Sequence, residues 1–438
     1  MTASEAGGHS RTRVDLGDEE VPSWLRWASF GALVVVALSR APYLLTRGRF
    51  WAEEGDLHFA HAYTEPFPSE LFFVQRRTGY YNLYANVSSS TASAVPLLQA
   101  PLVTAWLSLG VVALLLWVLL FWPSDLLTVA GAKIAAAALL LVGTLAIPEV
   151  WLNTINAQTY LGLVALVLLF VRVDELSTGR FVSGVVLLGV AGLSGFYAVA
   201  LAPLFVVVAL LDGTFRRWAY AVPLVVAGAL QTIVLIWFRV SGEIEGSKLA
   251  LPQLGELFRS VVRGQLGGLV LGSWFGDLVD LVEDGSIGAA AVAAVLVLAV
   301  VATLALVLWF APNRRVTLLL VGALALVELV VQIGSFGAAV GRYTVVPIGI
   351  LLLMLVYGVA ASWGRWFAWA GVGALALAAV AGIGQYWTSE PRYLRCIDCP
   401  EWADEVERHE AGDESLLIWP YDRDEPWEME LPLPDRDR

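Results

Sequence analysis

Cysteine, lysine and histidine are nearly missing from this chain of 438 residues, which holds two cysteines, two lysines (Lys133 and Lys248) and four histidines. The cysteines, Cys396 and Cys399, stand as C-x-x-C near the carboxyl end. Two thiolates supply half of a tetrahedral zinc site, so a local disulfide in an oxidising exterior is the simpler expectation. Charge is also sparse: 15 % of residues are Asp, Glu, Lys or Arg, and they form no basic face of the kind nucleic acid requires. The leader Met1 to Ser23 lacks the basic, apolar and small-residue order of a signal peptide. It is therefore expected to stay as a polar cytoplasmic leader (1–23), with the first apolar helix as an anchor. No internal repeat shows, by period or by matching halves, which weighs against the inverted-repeat architecture of many transporters.

What is abundant is apolar sequence. Apolar residues make up 58 % of the chain, with a mean hydropathy of +0.71, and charge-free runs recur along it. This is the composition of an all-α polytopic integral membrane protein. Spanning takes roughly 20 apolar residues per helix. Candidate spans fall near 25–46, 97–121, 132–147, 157–172, 181–194, 197–211, 217–238, 289–311, 316–335, 343–362 and 366–387. The expectation is about eleven transmembrane helices, or nine to ten if the short third and fifth are tilted or half-spanning. They form a transmembrane domain over 24–387, with a long first outer loop (47–96) carrying short interfacial helices and a second long loop (239–288).

Basic residues of short loops mark the cytoplasmic side. With the amino terminus inside, those loops hold Lys133, Arg172, Arg180, Arg216, Arg217, Arg314, Arg315 and Arg365, against Arg342 alone in the short outer loops. The two long outer loops run against this trend, because they also carry arginines. On this topology the tail, 388–438, is extracytoplasmic. It holds sixteen acids and six bases, ten of the chain's twelve net negative charges, and reads as a short solvated appendage able to pack back onto the outer loops.

The first outer loop concentrates the chemistry. Trp51-Ala52-Glu53-Glu54-Gly55-Asp56-Leu57-His58 follows the first helix closely, with His61 one turn on. In a helix starting near Trp51, Glu54 shares a face with His58, and His58 with His61. Burial and like-charge neighbours raise a carboxyl pKa toward neutrality, as a general base requires. The expected order of catalytic acids is Glu54, then Glu53, then Asp56. Glu54, Asp56, His58 and His61 also offer donors for a divalent metal ion, although H-x-x-H lacks the H-E-x-x-H pattern of zinc hydrolases. No cofactor is otherwise required.

Later in the same loop come Arg76, Arg77, Tyr80 and Tyr81. Arginine forks bind phosphate through paired hydrogen bonds, and tyrosines stack on sugars. Glu149, Asn153, Asn156 and Gln158 line the turn before the fourth span, and Arg342-Tyr343 opens the tenth. Arg40 and Glu328 fall within spans, where an ionisable group points to function or to a charged partner.

In layout and short motifs the chain resembles the GT-C superfamily of polytopic glycosyltransferases. The residues that carry the likeness are Trp51 to Gly55 just after the first helix, the Asn/Gln-rich turn Asn153 to Gln158, Gly192-Leu193-Ser194-Gly195 and Gly341-Arg342-Tyr343. It departs from that pattern in having Glu54 where Asp is common and in lacking a large outer carboxyl-terminal domain. The resemblance implies a bacterial cytoplasmic-membrane hexosyl- or pentosyltransferase. Its donor would be a polyprenyl-phosphate-linked sugar and its acceptor an extracytoplasmic glycan, lipid or protein. Transfer would be inverting, with a first-loop carboxylate as base. Phosphate is then expected at Arg76, Arg77 and Arg342, and substrate at His58, Tyr80, Tyr81, Asn153, Asn156, Gln158 and Tyr343. The alternative from a different class is a transporter or flippase for a lipid-linked saccharide, with Arg40 and Glu328 as pathway charges.

Overall fold

A computed structural model describes residues 22–76, 79–143, 148–242, 260–272, 274–334, 341–387, 401–419 and 427–433. Arg77 and the Cys396–Cys399 pair lie outside these residues. The described chain is a helical bundle: α1 (Ser23–Arg40), α2 (Leu83–Ser93), α3 (Ala100–Phe121), α4 (Ala130–Val142), α5 (Ala157–Leu169), α6 (Thr178–Leu193), α7 (Phe196–Ala200), α8 (Ala202–Asp212), α9 (Phe215–Val240), α10 (Ile287–Trp309), α11 (Arg314–Gly334), α12 (Val345–Ala361) and α13 (Ala368–Tyr386). Among the described residues, six helical stretches are long and apolar enough to cross a membrane: Leu97–Phe121, Phe215–Val240, Ile287–Trp309, Arg314–Ile333, Gly341–Ala361 and Ala368–Tyr386. Shorter apolar helices, Ala130–Val142, Ala157–Leu169, Thr178–Leu193 and Ala202–Asp212, pack among them.

Sequence character sets the position of each helix. Every residue of α5 is buried, as an all-round apolar helix without a polar stripe demands. It lies against α3, α6, α7 and α12. Gly349 lets α12 approach, because a Cβ there would sit 2.7 Å from Leu163 Cδ2. By contrast α9 and α10 leave Val222, Val225, Ile233, Trp237, Val292, Val295 and Leu298 exposed, an apolar outer surface suited to lipid.

The two ends of the bundle differ. At one end the loop arginines are paired: Asp212 with Arg217 at 2.9 Å and with Arg315 at 2.6 Å, and Arg172 with Glu175 at 2.7 Å. Arg216 donates there to the carbonyls of Val173 and Leu176. At the other end sit the first long loop and the tail. Of the two ionisable groups within spans, the Arg40 guanidinium lies over the rings of Trp151 and Tyr386, at 4.5 and 5.0 Å, while Glu328 neighbours Gln332 and Gln265. These two rings supply Arg40 with a cation–π environment at the carboxyl-terminal end of α1.

The described part of the tail is more than an appendage. Helix α14 (Trp402–Ala411) and strands β3 (Ser415–Leu417) and β4 (Glu428–Glu430) form a small unit. Its Trp402, Val406, Leu416, Ile418, Met429 and Leu431 bury a second core against Phe50, Phe59, Ala92 and Ala100. Phe50 stacks on Phe59 at 4.3 Å and meets Trp402 edge-on at 5.6 Å. The backbone joins as well: Trp419 N–H donates to Phe50 O at 3.0 Å, and Ala52 N–H donates to Trp419 O. The acidic motif is thereby tied to the tail by an isolated parallel β-bridge between Trp51 and Trp419. Ile418→Ala, at a fully buried position of this core, is expected to cost about 2–5 kcal/mol. The check is a lowered Tm in detergent micelles, and an unchanged Tm would mean that the tail does not support the loop.

Candidate functional site

The acidic motif begins with a backbone that ordinary residues avoid. Ala52 has φ 42°, and Leu152, in the loop opposite, has φ 54°. Left-handed conformations cost non-glycine residues roughly 1–3 kcal/mol and persist only where surrounding contacts impose them. At Ala52 the contacts are visible: its N–H is held by Trp419, and its carbonyl accepts from Gly55 and Asp56 as the π-helical turn Glu54–Phe59 starts. Gly55 is required by packing, since a Cβ would meet Phe50 Cβ at 2.8 Å and Ile418 Cδ1 at 3.0 Å.

This geometry sends the two adjacent glutamates to different places. Glu54 points inward and is 1 % exposed. Its Oε1 accepts from both the N–H and the hydroxyl of Thr154, each at 2.7 Å, and its Oε2 accepts from Trp51 N–H at 3.4 Å. Burial pushes its pKa up, and the bonds from Thr154 and Trp51 act in the opposite direction. Glu53 is half-buried and faces Tyr80 and Arg342. Asp56 is half-buried on the same turn.

The expected sharing of a face by Glu54 and His58 is present in that both point inward, but their partners differ. His58 is 2 % exposed, and its Nδ1–H donates to Asn86 Oδ1 at 2.8 Å. Asn86 uses its own N–H groups on Leu71 O and Phe73 O, which fixes the oxygen toward the imidazole. Burial lowers the His58 pKa to about 4, with the Asn86 bond opposing and the neighbouring His61 adding to the drop. His61 turns to the ring of Phe73, at 4.5 Å. Glu54, Asp56, His58 and His61 therefore do not converge, and among the described residues no three His, Cys, Asp or Glu side chains are placed to hold a metal ion.

The turn before α5 supplies the opposite wall. Asn153 and Asn156 both donate their side-chain N–H groups to Glu149 O, and Asn153 Oδ1 accepts from Asn156 N–H at 2.8 Å. These two asparagines close the turn on themselves. Gln158 is 8 % exposed and packs under Gly195, where a Cβ would fall 1.9 Å from its Oε1. Ser194 of the Gly-Leu-Ser-Gly turn accepts from Tyr84 N–H at 3.1 Å.

Of the loop tyrosines, Tyr81 serves the fold: its hydroxyl donates to Leu71 O, and its backbone pairs with Gln231 through two hydrogen bonds of 3.0 and 2.7 Å. Tyr80 is its neighbour on strand β2 (Tyr80–Tyr81), which pairs with β1 (Val74–Gln75). Burial and the Glu53 carboxylate push the Tyr80 phenol up to about 12, against the pull of Arg342. Arg76 is exposed at the end of β1.

Arg342 completes the group from the far end of the sequence. Its Nη1 is 2.5 Å from Glu149 Oε1, its Nη2 donates to the Tyr343 hydroxyl at 3.3 Å, and its guanidinium lies 5.2 Å from the Tyr343 ring. Glu53, Tyr80, Glu149, Arg342 and Tyr343 thus form one polar, partly open cluster at the loop-and-tail end of the bundle. An acid and a guanidinium flanked by phenols can bind an oxyanion and accept a proton. The residues that sequence reasoning passed over are Thr154, Asn82 and Asn86, each a fastener. Asn82 caps α2 through Ala85 N–H and donates to Ile155 O. An Asn directly before an apolar helical run was the available signal.

No known protein family matches the chain, and no curated protein matches it.

Two outcomes follow. His58 has a depressed folded pKa, so its contribution to stability is complete above pH 6.5 and is lost as pH falls toward about 4. Wild type should lose up to about 3 kcal/mol more than His58→Gln over that interval. Parallel Tm-versus-pH curves for the two proteins would refute this. Gly55→Ala should destabilise by about 1–3 kcal/mol through overpacking against Phe50 and Ile418, read as a lower Tm.

Proposed function

We propose that this chain is an inverting glycosyltransferase of the membrane, taking a sugar from a polyprenyl-phosphate donor and passing it to an extracytoplasmic hydroxyl acceptor. The observation that carries the reading is that Glu53, from the first long loop, lies within electrostatic range of Arg342, from the start of the Gly341–Ala361 span, whose guanidinium is held by Glu149 and Tyr343. They come together at the end of the bundle remote from the paired loop arginines. The motifs that resemble the GT-C superfamily all contribute to this region or brace it. In this reading the loop-and-tail end faces outward, and the arginine-rich end faces the cytoplasm of a bacterial cell.

The chemistry assigns one role to each group. The acceptor oxygen attacks the anomeric carbon while Glu53 takes its proton, and the bond from that carbon to the phosphate oxygen breaks. The departing polyprenyl phosphate gains one negative charge, which Arg342 stabilises. Tyr80 and Tyr343 present phenols beside the sugar, and exposed Arg76 extends the positive wall. Glu53 takes precedence over Glu54 on geometry. The Glu54 carboxylate is sealed from solvent with an oxygen committed twice to Thr154, so it serves as the brace that sets Glu53. The rings of Trp151 and Tyr386 over Arg40 suit a structural place for that residue, which favours the enzyme reading over a flippase that would use it as a pathway charge.

The test uses polyprenyl-phosphoryl hexose and pentose donors with radiolabelled sugar. Glu53→Gln should lower turnover by about 10²–10⁴-fold while donor binding persists. Glu54→Gln should chiefly lower Tm. If Glu54→Gln abolishes transfer and Glu53→Gln does not, the two acids exchange roles. Full turnover in Glu53, Glu54 and Asp56 variants alike would sink the enzyme reading, and sugar-lipid translocation without a new glycosidic bond would favour the flippase.

A further inference from the structure

The Glu149–Arg342 pair has no part in the proton transfer above, yet it is the shortest contact in the cluster. Glu149 Oε1 lies 2.5 Å from Arg342 Nη1, and both side chains are about one-third exposed, at 34 % and 32 %. At such exposure an ion pair adds little to stability. Its consequence is geometric. A guanidinium offers five N–H donors in a planar fork. Glu149 takes Nη1, and the Tyr343 hydroxyl takes Nη2 at 3.3 Å. A long side chain that would otherwise sample many rotamers is held on two of its nitrogens, with donors left over for an incoming oxyanion.

The anchor behind Glu149 is rigid. Its own carbonyl oxygen accepts from the side-chain amides of both Asn153 and Asn156. Three residues on in the same turn, Leu152 is held at φ 54°, and Thr154 grips Glu54. One short turn therefore fixes the acidic motif through Thr154 and the guanidinium through Glu149, setting the spacing between Glu53 and Arg342.

We infer that Glu149 is a positioning residue that aims Arg342 at the phosphate of a lipid phosphate ligand. The inference rests on the phosphate-binding reading of Arg342. Glu149 is also an anion near that phosphate, and its charge opposes binding while its contact promotes it. Comparing two variants with the same charge change separates these effects. Glu149→Gln keeps an oxygen for Nη1 and loses the charge, whereas Glu149→Ala loses both. Neither alters the main-chain carbonyl that Asn153 and Asn156 hold.

The experiment measures binding of undecaprenyl phosphate to the full chain in detergent micelles by intrinsic tryptophan fluorescence, with undecaprenol as the control lacking phosphate and with Tm recorded for each variant. Glu149→Ala is expected to bind undecaprenyl phosphate at least tenfold more weakly than Glu149→Gln, with equal undecaprenol affinities and Tm values. Equal phosphate affinities of the two variants, where Arg342→Ala has lost binding, would overturn the positioning role and leave the phosphate site standing. If Arg342→Ala binds undecaprenyl phosphate as wild type does, the phosphate reading itself falls, and this inference with it. Abolished sugar transfer in Glu149→Gln with phosphate affinity retained would also overturn it, making Glu149 a proton acceptor.

Discussion

The loop-and-tail end of this protein depends on one buried carboxylate. Glu54 and Thr154 are joined by two hydrogen bonds on a single oxygen, across one hundred residues of sequence, in a place solvent does not reach. Losing that anchor would leave the Thr154 N–H unsatisfied in the interior, which is costlier than the net worth of the bond that holds it. The acidic motif and the turn before α5 are consequently locked in one relative placement. Everything proposed for the cluster follows from that lock: Glu53, the next residue, is turned the other way, and the turn that grips Glu54 also presents Glu149 to Arg342.

A second constraint comes from the tail. Hydrogen bonds between Trp419 and Phe50 and Ala52 tie the acidic motif to the tail through an isolated β-bridge. The core beneath it, from Phe50 and Phe59 to Ile418 and Met429, supplies apolar burial that a short loop alone lacks. Together they impose the left-handed Ala52 from which the two glutamates diverge. Gly55 is small because Phe50 and Ile418 occupy the space a side chain would need. A motif that reads as chemistry is thus half architecture, with Trp51, Ala52, Gly55 and Glu54 holding the position that Glu53 occupies.

Much of this was legible before any coordinates. The helices of the bundle fall close to the apolar runs, and the acid motif, the Asn/Gln-rich turn, the Gly-Leu-Ser-Gly turn and Arg342-Tyr343 are where the polar contacts concentrate. Their individual roles were less accessible. Asn153, Asn156 and Gln158 carry donors and acceptors that suit a sugar equally well, yet here the asparagines close a turn and Gln158 packs beneath Gly195. Tyr81 and Tyr80 are adjacent and chemically identical, and strand alternation gives one to the fold and leaves the other beside Glu53 and Arg342. Arg40 within the first span gave no sign of its surroundings either, and in the fold the rings of Trp151 and Tyr386 lie against its guanidinium.

By itself, then, the sequence determined what is local or additive: a helical membrane-type chain from its hydropathy, a segregation of charge, and a polar loop after the first helix. These depend on composition and short-range period, which need no knowledge of what lies across the bundle. Only the tertiary structure decided which glutamate is buried, because adjacent residues in one turn differ by direction alone, and direction has meaning only against a neighbour. Thr154, Trp419 and Arg342 are those neighbours, all distant in sequence: Thr154 holds the Glu54 carboxylate in a dry interior, Trp419 holds the backbone on both sides of Trp51, and Arg342 is the cation nearby in the field of Glu53.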